Sequence, residues 1–210
     1  MFTGIVEKMG KVQAIRSVAG GDRQLMIAMD ADWISRLEPG QSISINGTCL
    51  TVTECDQGAF GADVSMETLR VTTLGELKQD DAVNLELPLT LQAPLGGHLV
   101  SGHVDGVGIV RAIQDQARSK VIQIEAPMGL MRYIAPKGSI CIDGVSLTVN
   151  RVDQAIFGSQ HHSLYHANHD HWAICPRTES QSGGGSAGTV YRKPDAGRES
   201  KSMMLSCKMC

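Results

Sequence analysis

Along most of the chain, apolar and polar residues alternate in short runs, each ended by glycine, proline or an Asx-Gly pair. A period of two marks half-buried strands, and closely spaced turn signals predict a β-rich fold. The clearest run is Ser42–Val52, SISINGTCLTV. Ile43 and Ile45 alternate with Ser42 and Ser44; beyond Asn46-Gly47, Leu50 and Val52 alternate with Cys49 and Thr51. Asn and Gly tolerate positive φ, so the run predicts a hairpin with a tight turn. One hairpin face is aliphatic and suits a core. The other carries small hydroxyl and thiol groups, which suit a polar pocket.

The stretch returns 97 positions on as Ser139–Val149, SICIDGVSLTV. Cys49 meets Ser146, Thr51 meets Thr148, and Asn46-Gly47 meets Asp143-Gly144. Gly4-Ile5-Val6-Glu7 aligns in the same way with Gly102-His103-Val104-Asp105, and Phe60-Gly61 with Phe157-Gly158. Such a repeat divides the 210 residues into two tandem domains. The expected boundaries are 1–97 and 98–158. DADWISRLEPG reads as a short helix with an Asp cap and a Pro-Gly stop, APMGLMRYIAPKG takes its place in the second cycle, and METLRVTTLGEL starts as a helix. Many short strands with glycine turns and little helix predict compact β-barrels.

The repeat breaks off after Gly158. Where the first cycle has Asp63, Glu67-Thr68, Thr72-Thr73 and Val83-Asn84-Leu85-Glu86, the second offers no counterpart. Residues 159–210 are therefore expected to form an aberrant, disordered tail, including the linker-like run Ser182–Gly188. His161, His162, His166, His169 and His171 crowd together there, and Cys207–Cys210 is a CxxC. With no second CxxC and no finger-like His spacing, no metal site is expected.

Composition adds limits. A net charge of −3 gives no electrostatic reason for a nucleic-acid or membrane partner, and no apolar run approaches the length of a bilayer span. The start MFTGIVEKMG lacks the layout of a signal peptide, so a cytoplasmic location is expected. Six cysteines then read as free thiols, and Asn46-Gly47-Thr48 as turn chemistry and not a glycan site.

MFTGIVE, NGTCLTV, METLRVTTLGEL, VNLE, GGHLVSGHVDG and MRYIAPKGSICIDGVSLTVN together closely resemble riboflavin synthase of the α-chain type, over residues 1–158. The resemblance implies an all-β chain of two tandem six-stranded Greek-key barrels, a C-terminal helix and a homotrimer, with lumazine synthase as a further partner. It also implies an active site between the first barrel of one subunit and the second barrel of its neighbour. The implied reaction passes a four-carbon unit between two molecules of 6,7-dimethyl-8-ribityllumazine. The products are riboflavin and 5-amino-6-ribitylaminouracil, with no cofactor and no metal.

The same resemblance implies the site. Ser42, Cys49, His103 and Ser146 are the catalytic candidates. Substrate contacts are implied for Phe2, Gly4, Ile5, Val6, Thr48, Cys49, Thr51, Ala62 and Thr68, and for Gly102, His103, Lys137, Ser146 and Thr148. Ser42, Cys49 and Thr51 would serve one lumazine; Ser146, Thr148, His103 and Lys137 would serve the other. On its residue type alone, Cys49 reads as a small buried side chain, Lys137 as a solvated turn charge, and His98 and His103 as packed or surface residues. The chemistry asks little of side chains. The lumazine C7 methyl is acidic through ring delocalisation, so a weak base suffices, and the main task is holding two ligands face to face.

Beyond Gly158 the resemblance is recovered by a shift of reading frame. If the codons of Gly158–His162 carry one extra base, the corrected frame begins Gly-Val-Asn-Ile-Ile. With codons permitted by the printed residues, it continues to a VNLEVD strand and a closing helix. On this reading the second barrel is incomplete in this chain. A non-catalytic lumazine- or flavin-binding protein, or an inactive frameshifted copy, is then the alternative to the enzyme.

Overall fold

The computed structural model describes residues 1–117, 119–162 and 201–207. β1 (Lys8–Ser17), β2 (Arg23–Ala28), β3 (Ser42–Ile45), β4 (Thr48–Asp56), β5 (Ala59–Val64) and β6 (Ala82–Glu86) form a closed barrel in the order β1-β2-β5-β4-β3-β6. The second sheet contains β7 (Gly106–Gln116), β8 (Ser119–Glu125), β9 (Ser139–Ile142), β10 (Val145–Asp153), β11 (Ile156–His162) and β12 (Lys201–Cys207). Its order, β10-β11-β8-β7-β12-β9, is the same circuit started elsewhere. All pairings within both sheets are antiparallel. The expected pair of Greek-key barrels is therefore present.

The alternation read from the sequence sets which faces are inside. Val12, Ile27, Ile43, Ile45, Phe60 and Leu85 fill the first barrel; Ile124, Ile140, Ile142, Phe157 and Leu205 fill the second. Each such side chain, when fully buried, contributes about 1.5–3 kcal/mol. The predicted hairpins form with two-residue turns, Ile45 pairing with Thr48 and Ile142 with Val145. Asn46 and Gly47 have φ of 48° and 83°, Asp143 and Gly144 of 45° and 84°, the doubly positive pattern of a type I′ turn. The two turns also abut. A Cβ on Gly47 would lie 2.7 Å from the Gly144 nitrogen, so the barrels meet backbone to backbone.

The short helices fall where expected. In α1 (Ala31–Ile34) the Asp30 carboxylate accepts from the Trp33 amide at 3.1 Å. In α2 (Met66–Val71) the Ser65 hydroxyl accepts from the Thr68 amide at 3.2 Å. The third, α3 (Met128–Met131), repeats the place of α1.

The second sheet departs from the first in its sixth strand. The strands up to β11 supply only five of the six positions of the second barrel, as the broken repeat predicts. However, β11 runs on to His162, and the sixth position is filled from far down the chain. β12 pairs with β7 through Lys201–Leu205 and with β9 through Leu205–Cys207, and so closes the sheet. The physical reason is visible in KSMMLSC, whose short apolar stretch Met203-Met204-Leu205 suits a strand with a buried face. Leu205 is fully buried in the second core, just as Leu85 is in the first. The expected C-terminal helix, the Ser182–Gly188 run, His166, His169, His171 and Cys210 lie outside the described residues.

Candidate functional site

The segments preceding β1 and β7 meet in a strip between the barrels. The Phe2 amide donates to the Val100 carbonyl at 2.7 Å and the Val100 amide to the Phe2 carbonyl at 2.9 Å. The His98 amide adds a bond to the Thr3 carbonyl at 3.0 Å. From this strip each segment crosses the barrel that it does not belong to. Val6, just before the first barrel, is buried in the second core; Val104, just before the second, packs against the first.

Two glycines make the crossing possible. Gly4 and Gly102 have φ of 74° and 82°, where L residues are strained. Each lies flat on a hairpin residue of the opposite barrel. The Ser146 amide donates to the Gly4 carbonyl at 2.7 Å, and the Cys49 amide to the Gly102 carbonyl at 2.8 Å. A Cβ at Gly4 would come within 2.8 Å of the Ser146 Cβ, and one at Gly102 within 2.5 Å of the Cys49 Cβ. The result is two equivalent walls. Cys49, with the cross-strand pair Ser42 and Thr51, faces Gly102 and His103; Ser146, with Ser139 and Thr148, faces Gly4 and Ile5.

This regroups the predicted residues. His103 was assigned to the second lumazine with Ser146, but its neighbours Gly102 and Val104 lie on the first barrel. His103 therefore belongs with Cys49. The correction follows from the exchange of segments, which the repeat alone cannot reveal. The histidine at the second wall is His98, whose Nδ1 lies 2.7 Å from the Ser146 Oγ. That pair joins a ring able to exchange a proton to a hydroxyl at the site.

The other predicted residues are less uniform. Thr51 and Thr148 are exposed on their hairpins, whereas Phe2, Thr48, Val6 and Ala62 are buried and support the walls from beneath. Phe2 packs with Val100, Cys141 and Cys49. Thr68 is half-buried on α2, its hydroxyl 3.0 Å from that of Ser65. Lys137 is exposed at the rim with φ of 68°, the place held by Gly40 (φ 91°) in the first barrel. Their amides donate equivalently, Lys137 to the Val149 carbonyl at 2.7 Å and Gly40 to that of Val52 at 2.8 Å. A separate cavity of about 770 Å³ on the second barrel is lined by Gln123, Glu125, Asn150, Arg151 and Ser159, and by none of the predicted site residues.

The buried carboxylate of Glu86 was not anticipated. Its Oε1 accepts from the Thr3 amide at 2.5 Å and the Thr3 hydroxyl at 2.7 Å, and its Oε2 from the Gly4 amide at 3.0 Å. Burial pushes its pKa up, opposed by those Thr3 and Gly4 bonds and reinforced by Glu7. Burial also drives the Cys141 thiol far up, with Glu86 and Asp143 adding to it, so Cys141 is a neutral packing group. An acidic residue directly after the apolar Leu85, at the end of the strand Ala82–Glu86, was the available signal.

Duplicated barrels, each presenting a hydroxyl- or thiol-bearing hairpin under a crossing glycine segment, define a two-site protein for small polar ligands. The family model described as the lumazine binding domain matches residues 3–88 and again 101–176. The riboflavin synthase of Actinobacillus pleuropneumoniae is 43% identical over 157 residues, 75% of this chain and 72% of its own. That of Bacillus subtilis (strain 168) is 35% identical over 149 residues, 71% and 68% of the two chains. Among solved structures, LumP complexed with riboflavin superposes with a TM-score of 0.78 at 22% identity over 100% of both chains, a likeness of fold. LumP complexed with flavin mononucleotide gives 0.69 at 26% identity, covering 78% of this chain and 88% of that one. The chain belongs to the riboflavin synthase family, enzymes of the transferase class built on lumazine-binding domains.

Proposed function

We propose that the protein catalyses the dismutation of two 6,7-dimethyl-8-ribityllumazine molecules to riboflavin and 5-amino-6-ribitylaminouracil, with each barrel holding one lumazine. The observation that carries this reading is the pair of equivalent walls, Gly102 on Cys49 and Gly4 on Ser146. A reaction between two copies of one substrate requires two like sites. Backbone amides, Ser42, Thr51, Ser146 and Thr148 bind pyrimidine and ribityl groups, while His103 at the first wall and His98 at the second move protons at a ring-activated methyl. Holding the two ligands face to face supplies most of the acceleration, because proximity alone is worth roughly 7–11 kcal/mol. The facing arrangement is completed in a homotrimer, where the first barrel of one subunit meets the second barrel of another. The setting is cytoplasmic, with lumazine synthase as the supplier of substrate. No helix among the described residues is long and apolar enough to cross a membrane.

A second reading, ligand binding without turnover, is favoured by one observation. The sixth strand of the second barrel comes from 201–207, beyond the break in the repeat, and places Ser206 where the first barrel has Glu86. Both readings are separated by incubating the full chain with the lumazine and following riboflavin by chromatography and fluorescence. Riboflavin and the diaminouracil formed in equal amounts support the enzyme. Saturable ligand fluorescence without product supports the second reading, and absence of both rejects the two together.

A further inference from the structure

Glu86 lies at the end of β6, in the first barrel, yet its three hydrogen bonds go to residues that build the second barrel's wall. It accepts from Thr3 twice and from Gly4 once, and the Gly4 carbonyl in turn receives the Ser146 amide at 2.7 Å. A carboxylate is an acceptor only, so it suits a site ringed by two amides and a hydroxyl. The glycine it holds is one that the backbone does not fix by itself, since glycine populates negative φ about as readily as the 74° held here. We propose that Glu86 is a cross-barrel positioning residue: it fixes the Thr3–Gly4 turn and thereby sets Ser146 for the ligand of the opposite barrel. This deepens the function proposed above and rests on it only for the identity of the ligand.

The two barrels differ at this point. Ser44 pairs with Glu86 across the first barrel, and its repeat partner Cys141 pairs with Ser206 across the second. The Gly102 turn, which covers Cys49, therefore has a serine at the register position where the Gly4 turn has a carboxylate. Its Ser101 hydroxyl accepts from the His103 amide at 3.2 Å. The three bonds of Glu86 reach the Gly4 side, so this clamp acts on the second wall.

The test compares the full chain with Glu86→Gln and, as a milder probe from the other side of the clamp, Thr3→Val. Amide hydrogen exchange is read at Gly4 and Ser146, with Cys49, bonded to the Gly102 carbonyl, as the internal control. Both variants should exchange at Gly4 and Ser146 about tenfold faster or more, while Cys49 changes by less than about twofold. Equal acceleration at Cys49 and Ser146 would make Glu86 a general stabiliser and overturn the proposal, as would no change at Ser146. Should Glu86→Gln fail to fold, Thr3→Val decides by the same criteria. Lumazine titration then adds the ligand. Second-site affinity, read in a Gly102→Ala background, should fall about tenfold in Thr3→Val, and first-site affinity, read in a Ser146→Ala background, should hold. If the parent chain binds no lumazine, the functional reading fails while the exchange data still decide the clamp.

Discussion

Gly4 and Ser146 stand 142 positions apart and touch through their backbones, the Ser146 amide donating to the Gly4 carbonyl at 2.7 Å. A Cβ placed on Gly4 would sit 2.8 Å from the Ser146 Cβ, closer than carbon atoms approach. Gly4→Ala should therefore push the N-terminal segment off the second wall. Adding the left-handed φ, the expected cost is about 2 kcal/mol or more. Urea unfolding measures it, and lumazine titration should show the second site lost with the first retained. Gly102→Ala should give the mirror result, because its Cβ would lie 2.5 Å from that of Cys49. Loss of the same site in both variants would contradict the exchange of segments.

His98 and Ser146 form the side-chain pair of the second wall, Nδ1 to Oγ at 2.7 Å. If the pair handles a proton, His98→Ala should lower the rate of riboflavin formation by about 10²–10⁴-fold. Ser146→Ala should act through the same contact, so the double variant should be less than additive by about 0.5–3 kcal/mol. Steady-state rates of the three variants against the parent measure this. Strict additivity would mean that the two residues act separately.

The hairpins were legible in the sequence because alternation and an Asx-Gly turn are local signals, and both survive folding unchanged. So were the two barrels, since repeated local signals imply repeated folds. The crossing of Gly4 and Gly102 was not. Two barrels with the same hairpin offer equivalent docking surfaces, and nothing in a segment's own residues says which one it covers. That ambiguity placed His103 with Ser146 instead of Cys49 and passed over His98. β12 was missed for a related reason. Closing a barrel asks only for a short apolar strand of the right reach, and KSMMLSC meets that demand without resembling VNLE.

Lys137 carries a left-handed φ of 68° at a rim position where the first barrel has Gly40. Holding a lysine there costs stability that a glycine would not. Lys137→Gly is expected to raise stability by roughly 0.5–1 kcal/mol in urea unfolding. If the ammonium contacts the ligand, the same variant should bind lumazine more weakly. A variant that is both less stable and equally tight would deny the lysine both roles.

Glu86 makes stability depend on pH in a defined direction. Burial raises its pKa above the ordinary 4.5, outweighing the Thr3 and Gly4 bonds, with Glu7 on the N-terminal segment adding to the shift. The charge of Glu86 also acts on Cys141 of β9, whose thiol burial keeps neutral. A carboxyl with a raised folded pKa binds its proton more readily in the folded state. Its contribution is fully present below 4.5 and is lost as pH rises through the folded value. Urea midpoints measured across that window should fall with pH in the parent, and Glu86→Gln should remove that part of the slope. An unchanged slope in the variant would assign the dependence to another group.

The closure of the second barrel depends on Leu205. It is fully buried, and its Cδ1 occupies the space above Gly108, where an added Cβ would come within 2.8 Å. In the first barrel the same arrangement joins Leu85 and Gly10, whose added Cβ would lie 2.8 Å from the Leu85 Cδ1. Leu205→Ala should cost about 2–5 kcal/mol, the range for emptying a leucine site in a packed core. The loss would fall on the second barrel, because among the described strands β12 pairs with β7 and β9. With β12 released, those two strands become open edges lined with aliphatic residues, and such edges recruit other chains. Light scattering should therefore show aggregation of Leu205→Asp at concentrations where the parent remains dispersed, while Leu91→Asp, at an exposed leucine, should behave as the parent does. If Leu205→Ala unfolds at the parent's urea midpoint, the sixth strand is not formed by 201–207, and the second barrel stands open at the break where the repeat ends.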